Sequence, residues 1–156
     1  MGPHSVAAMT PSFIIQSNRG ASFEDGPDHG RVLISGESTD YAYSLMELTV
    51  APRGVDAGFG PHRHHDIDEV FVIRKGTLEF LLDSDVTTLH EGDVVRVPAG
   101  VRHGYRNMSG EAVELLVWFT PGGFEGLFVK YRTNRPNLDE SGFVNEATSR
   151  FNSRFE

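Results

Sequence analysis

The sequence predicts an all-β fold, a sandwich or a barrel, and three observations predict it. Short apolar runs recur along the chain, at 31–34 (RVLI), 41–50 (YAYSLMELTV), 69–74 (EVFVIR), 77–82 (TLEFLL), 93–98 (DVVRVP) and 112–119 (AVELLVWF). Turn-forming stretches (SGES, APRG, DSD, HEGD, PAG, NMSGE and TPGG) separate them, and the seventeen Gly and eight Pro are spread as punctuation, not gathered in one block. No helical period of useful length occurs before residue 123. Short strands at regular spacing with turn signals between them are the pattern of an antiparallel all-β domain.

Alternation sets the face of each strand. In 41–50, Glu47 faces water, which turns Met46, Leu48 and Val50 inward. In 77–82, Glu79 faces out and Leu78, Phe80 and Leu82 face in; in 112–119, Glu114 faces out and Val113, Leu115, Val117 and Phe119 face in. The inner surface is therefore mostly apolar, suited to a filled core or to a pocket for a flat organic ligand. Phe71, Phe80 and Trp118 read first as core. Arg74 and Lys75 form a solvated strand end. After the last strand, GGFEGLFVKYR (122–132) has the spacing of a short amphipathic helix with Phe124, Leu127, Phe128 and Tyr131 on one side. The chain from Asn134 onward is polar and is expected to be peripheral. The division is a disordered or tag-like 1–11, a single barrel domain over 12–133, and a polar tail over 134–156.

Composition excludes several classes of function. The 156 residues are one domain's worth. Fourteen basic against twenty-two acidic residues give a formal charge of −8, which argues against nucleic acid and anionic lipid as partners. No apolar run approaches the roughly 20 residues of a membrane span. The first twelve residues, MGPHSVAAMTPS, lack the basic and apolar regions of a secretory signal, and the cytoplasm is the expected compartment. With no cysteine, disulfides, thiolate metal sites and Cys nucleophiles are excluded, and any metal must be held by His and carboxylate.

The stretch PHRHHDIDEVFVIRKG (61–76) is where polar residues point the wrong way. His62 and His64 stand two apart and share a face of an extended strand, whereas His65 takes the opposite face. Glu69 is in phase with Phe71 and Ile73, an inward position. A buried carboxylate beside two imidazoles is costly without compensation, and a divalent cation compensates it well. In GDVVRVPAGVRHGYRN (92–107) a strand ends at Pro98, turns through Ala99-Gly100 and re-enters with His103, Tyr105 and Asn107 in one phase, so His103 is the fourth candidate. Three imidazoles and a carboxylate suit one divalent transition ion per chain, Fe, Mn, Co, Ni or Zn, and the ligand set alone does not choose among them. Taken alone, 61–66 reads equally well as a solvated turn. His4, His29 and His90 lie in terminal or turn-like sequence and read as surface.

These two stretches together resemble the cupin family. From the first histidine, residues 62–76 match its first motif at every position: His62, His64, Glu69 and Gly76 at the required spacings. The usual leading glycine is Asp56 here, with Gly58 and Gly60 available to the turn. Gly92, Pro98, Gly100, His103 and Asn107 match the second motif throughout, after a spacer of compact microbial length. The resemblance implies a small antiparallel β-barrel of two facing sheets, a metal held by His62, His64, Glu69 and His103, and a homodimer. Gly76, Gly92, Pro98 and Gly100 become turn residues. The segment TPGGFEGLF (120–128) narrows the resemblance to single-domain members similar to quercetin 2,3-dioxygenase.

That resemblance implies first a metal-dependent dioxygenase that takes O2 and a small phenolic, flavonol-like or polyketide-like substrate. Glu69 would be its general base, and Met46, Leu48, Phe71, Phe80 and Val117 would line the substrate pocket. A second reading keeps the site without oxygen, as an isomerase, cyclase, decarboxylase or lyase. Within it, Arg96 alternates outward, away from any substrate phosphate, and Phe71 stands where some lyase-type members carry a tyrosine base. The third reading is a binder of a metal or small ligand without catalysis.

Overall fold

A computed structural model of the chain describes residues 11–52, 58–132 and 140–156. The tag-like reading of 1–11 falls outside them except for Pro11, and Asp56 and His4 also lie outside. Eleven strands are present among the described residues: β1 (Ser22–Asp25), β2 (Asp28–Ile34), β3 (Ser44–Val50), β4 (Gly58–His64), β5 (Asp68–Lys75), β6 (Thr77–Leu82), β7 (Asp85–His90), β8 (Val94–Val97), β9 (His103–Arg106), β10 (Val113–Thr120) and β11 (Ser153–Phe155). A 3-10 turn (Glu37–Thr39) joins β2 to β3, and two helices, α1 (Glu125–Tyr131) and α2 (Glu140–Phe151), follow β10. The strands form two antiparallel sheets, ordered β1-β2-β3-β10-β5-β8 and β11-β4-β9-β6-β7. This is the all-β, double-sheet barrel with a short helix after its last strand that the sequence predicts.

Strand phases follow the alternation. Met46, Leu48 and Val50, then Val113, Leu115, Val117 and Phe119, are buried, while Glu47 and Glu114 lie on the outer face. Register stacks the inward residues into rows across the sheet. Val117 lies opposite Met46 and Phe71, and Leu115 opposite Leu48 and Ile73. The facing sheet contributes Leu78, Phe80 and Tyr105, with Phe71 and Phe80 edge-to-face at a 5.0 Å centroid distance. Trp118, read as core, is instead on the outer face of β10 and only partly buried. Gly76, Gly92 and Gly100 adopt φ of +89°, +91° and +86° at turns, where a side chain would be strained.

Three departures from the sequence reading have physical causes. The run from Tyr41 becomes strand only at Ser44, because Asp40 and Tyr41 take left-handed conformations (φ 52° and 60°) after the 3-10 turn. Strands β1 and β7 lie at sheet edges, and β7 buries only Leu89, so it shows no apolar alternation. The C-terminal stretch, read as peripheral, builds α2 and β11. Helix α2 buries Phe143 and Ala147 completely, and β11 pairs with β4. Phe143, Ala147 and Phe151 recur at i, i+4, i+8, a narrow apolar stripe inside a polar segment.

Candidate metal centre

Strand β4 carries His62 and His64 on its inner face, and the two-residue period aims both rings into the barrel. His65, between β4 and β5, is exposed, as its phase requires. Across the ladder His103 of β9 lies opposite His62. Glu69 comes from the other sheet, near the start of β5, opposite Val97 on one side and Phe119 on the other. All four side chains are buried, and one donor atom from each lies within 4.8 Å of all the others. His29 and His90 are exposed and take no part.

Each imidazole is held at Nδ1. His62 Nδ1 lies 2.8 Å from Gly60 O, His103 Nδ1 3.0 Å from Val101 O, and His64 Nδ1 2.7 Å from Ser153 Oγ. A carbonyl only accepts, so when neutral His62 and His103 keep their proton on Nδ1 and turn an unprotonated Nε2 inward, the form that ligates a metal. His64 Nε2 stands 3.5 Å and His103 Nε2 2.5 Å from Glu69 Oε2. These three inward atoms are buried, and none makes a well-formed hydrogen bond. Ligand atoms at about 2.0–2.2 Å from one ion lie up to about 4.2 Å apart, close to the spread seen here. The donor set and its unsatisfied atoms therefore fit a divalent transition ion.

Electrostatics favour neutral rings on the β4 side. Burial pushes His62 down from 6.5 to about 3, reinforced by His103 and His64. Burial also lowers His64, with Glu69 opposing. Burial likewise works against a charge on His103, but the Glu69 carboxylate outweighs it and raises its pKa. Glu69 is pulled the other way: burial would raise it, yet His64 and His103 hold it at about 2. The site contains an ionised carboxylate throughout the neutral range.

The surroundings are aromatic and nearly full. A cavity of about 20 Å³, lined by His62, His64 and Glu69 with Met46, Phe71 and Phe124, lies beside the ligands. Of the predicted pocket residues, Met46, Phe71 and Val117 line it, whereas Leu48 and Phe80 are packed into the core and do not. That volume accommodates about one water, so the wide slot expected for a flat ring is closed. Phe124 meets His64 edge-on at 4.5 Å, and Phe155 lies parallel to His62 at 5.8 Å. The sequence reading missed Ser153 and Phe155, which reach the site only because β11 pairs with β4. A larger cavity of about 720 Å³ opens along Gly60, Leu81, Val86, Gly104 and Val144, and shares Phe59 and Tyr105 with the small one.

Comparison with known proteins gives this geometry its place. The Cupin domain family matches residues 46–119, which include His62, His64, Glu69 and His103. An uncharacterised protein of Streptomyces coelicolor is 33% identical over 75 residues, 47% of this chain and 70% of that protein. Residues 46–119 are a cupin domain. An uncharacterised protein of Aquifex aeolicus is 41% identical over 61 residues, 39% of this chain, and the match spans half of that protein's length. Among solved structures, KdgF from Halomonas sp. superposes with a TM-score of 0.62 at 17% identity, covering 74% of this cupin and 99% of that chain. The nucleoside dehydratase Pac13 gives 0.59 at 15% identity (74% and 88% covered). The polyketide cyclase RemF from Streptomyces resistomycificus gives 0.54 at 19% (66% and 69%). At these identities the structures share the fold alone.

Proposed function

We propose that this cupin is a metal-dependent enzyme and that its reaction is the dioxygenation of a compact phenolic or enolic substrate. One observation carries the reading: three imidazoles, each tethered at Nδ1, converge with a buried carboxylate, and the inward atoms of His64, His103 and Glu69 are left without well-formed hydrogen bonds in an apolar barrel. A divalent ion held by His62, His64, Glu69 and His103 would supply Lewis acidity there and, for Fe, Mn, Co or Ni, a redox partner for O2. The chain's own residues do the rest. The Nδ1 bonds orient the rings. Met46, Phe71, Val117, Phe119 and Phe124 keep bulk water from the donors. Glu69 Oε2, ionised at neutral pH, is the atom placed to take the substrate's hydroxyl proton. The 20 Å³ cavity holds about one water, so a ring of any size enters only if the aromatic cover parts.

A non-redox reaction is the second reading. A divalent ion held by the same four residues would supply Lewis acidity to a reaction that needs no oxidant, with the Glu69 carboxylate placed to move a proton. Proteins of this fold named a cyclase and a dehydratase add support. The deciding experiment loads the protein separately with Fe, Mn, Co and Ni and follows oxygen consumption and product over small enols, phenols and flavonols. Dioxygenation predicts oxygen uptake matching turnover. Turnover under strict anaerobiosis would replace it with the non-redox reading. His103→Ala is expected to lose bound metal and activity together; retention of both would remove the site itself.

A further inference from the structure

Two of the three imidazoles have their tautomers set by their own strand surroundings. Gly60 O lies two residues before His62 and Val101 O two residues before His103, and both can only accept. His64 is different. Its Nδ1 partner is Ser153 Oγ, 89 residues further along the chain, on β11. A hydroxyl can donate or accept, so it selects the Nδ1–H tautomer only if its own hydrogen is directed elsewhere. Phe151 O, 3.5 Å from Ser153 Oγ, is an acceptor in that direction. Ser153 is fully buried, so no solvent competes for the hydroxyl.

Strand β11 is held in register over this half of the centre. Ser153 lies opposite His64, Arg154 opposite Arg63 and Phe155 opposite His62. Main-chain bonds close both ends, His65 N to Asn152 O (3.2 Å) and Glu156 N to Pro61 O (3.0 Å), and the Arg102 guanidinium meets the Glu156 carboxylate at 2.7 Å. Asn152, at φ 49°, makes the sharp turn from α2 into the strand. The ring of Phe155 then lies 14° from parallel over His62. Two residues of β11 thus reach the β4 histidines, Ser153 by a hydrogen bond to His64 and Phe155 by ring contact with His62.

We propose that Ser153 is the positioning residue for His64, holding it as the Nδ1–H tautomer, so that β11 completes the metal centre which the barrel strands alone leave with one imidazole unset. The inference rests on His62, His64, Glu69 and His103 being metal ligands. Zinc affinity then depends on a residue outside both sequence motifs, and on whether β11 is docked.

The test uses the full chain with zinc as probe. Zinc dissociation constants are measured by chelator competition for wild type, Ser153→Ala and His103→Ala. Histidine ¹⁵N spectra of the zinc-loaded wild type are recorded alongside. The expected spectrum shows His64 protonated at Nδ1 and bound through Nε2, and Ser153→Ala is expected to weaken zinc binding about 10- to 100-fold. Affinity in Ser153→Ala within twofold of wild type overturns the role of Ser153, as does a wild-type spectrum with His64 protonated at Nε2. Should Ser153→Ala not fold, the spectrum of metal-free wild type decides, because zinc on Nε2 would itself fix the proton at Nδ1. There Nδ1–H on neutral His64 supports the role and Nε2–H overturns it. Wild-type affinity in His103→Ala overturns the metal reading and this inference with it. Loss in His103→Ala beside unchanged Ser153→Ala overturns the inference only.

Discussion

Glu125 shows how a residue can carry a motif for a reason unrelated to chemistry. Its carboxylate is buried and has no ion-pair partner among the described residues. Instead Oε1 accepts from Gly36 N at 2.6 Å and Oε2 from Gly123 N at 2.7 Å, clasping the β2–β3 connection to the turn before α1. The glycines around it have no room for side chains. A Cβ on Gly36 would lie 2.5 Å from Gly123 N, and one on Gly122 2.6 Å from the Tyr43 carbonyl. Within the PGGFE stretch the glycines and Glu125 therefore serve packing, while Phe124 lines the cavity beside His62, His64 and Glu69. Glu125→Ala leaves two N–H groups without an acceptor, at about 1–3 kcal/mol for a buried one and less for the other. Urea denaturation of the metal-free protein should show a loss of about 2–4 kcal/mol, with Glu125→Gln, which keeps one acceptor, losing about half. A variant within about 0.5 kcal/mol of wild type would show that the clasp carries no stability.

At the scale of elements, legibility followed burial. Strands β3, β5, β6 and β10 bury one face, so their alternation was readable, and the same period aligned His62 with His64. Strand β7, exposed on both faces, had no such signal. Phase made Glu69 and His103 candidates, and their convergence on the β4 histidines was what the resemblance to cupins implied. Ser153 was not, because a three-residue strand has no period and its role arises only on pairing. Helix α2 was masked by its polar average, although Phe143, Ala147 and Phe151 mark its inner stripe. Phe143 sits among Phe59, Phe124, Phe128 and Phe155 at centroid distances of 5.2–6.3 Å, and the Arg132 guanidinium stacks on its ring at 4.3 Å. Phe143→Ala should cost about 3–5 kcal/mol, the range for a fully buried phenylalanine, whereas a truly peripheral tail would lose under about 0.5. Chemical denaturation separates the two.

For the whole molecule, the buried site makes the metal-free fold acid-sensitive, and the sign follows from which state binds more protons. At pH 5 the unfolded chain carries protons on His62 and His64, whose ordinary value is 6.5. In the folded chain burial keeps His62 neutral down to about pH 3 and lowers His64 as well. The unfolded state thus binds more protons, and stability rises with pH across that window. Asp25 opposes this: burial, against Arg132, raises it from 3.8 to about 6, so the folded form holds a proton there that the unfolded form has lost. His103, raised by Glu69, is protonated in both states at pH 5 and has no slope there. Its contribution is full below 6.5 and is lost as pH climbs through its raised folded value. Each unmatched proton is worth about 1.4 kcal/mol per pH unit. His62 and Asp25 nearly offset each other between pH 6 and 4, so the lowered His64 sets the sign, and stability should fall on acidification by at most about 1.4 kcal/mol per unit. Urea denaturation at pH 6.5, 5.5 and 4.5 measures it, and His62→Gln should flatten the slope by about one proton's worth. Zinc-loaded protein should be steeper still, because binding demands neutral imidazoles and an ionised Glu69. Stability that held constant or rose on acidification would mean that the β4 imidazoles are not held neutral by the fold.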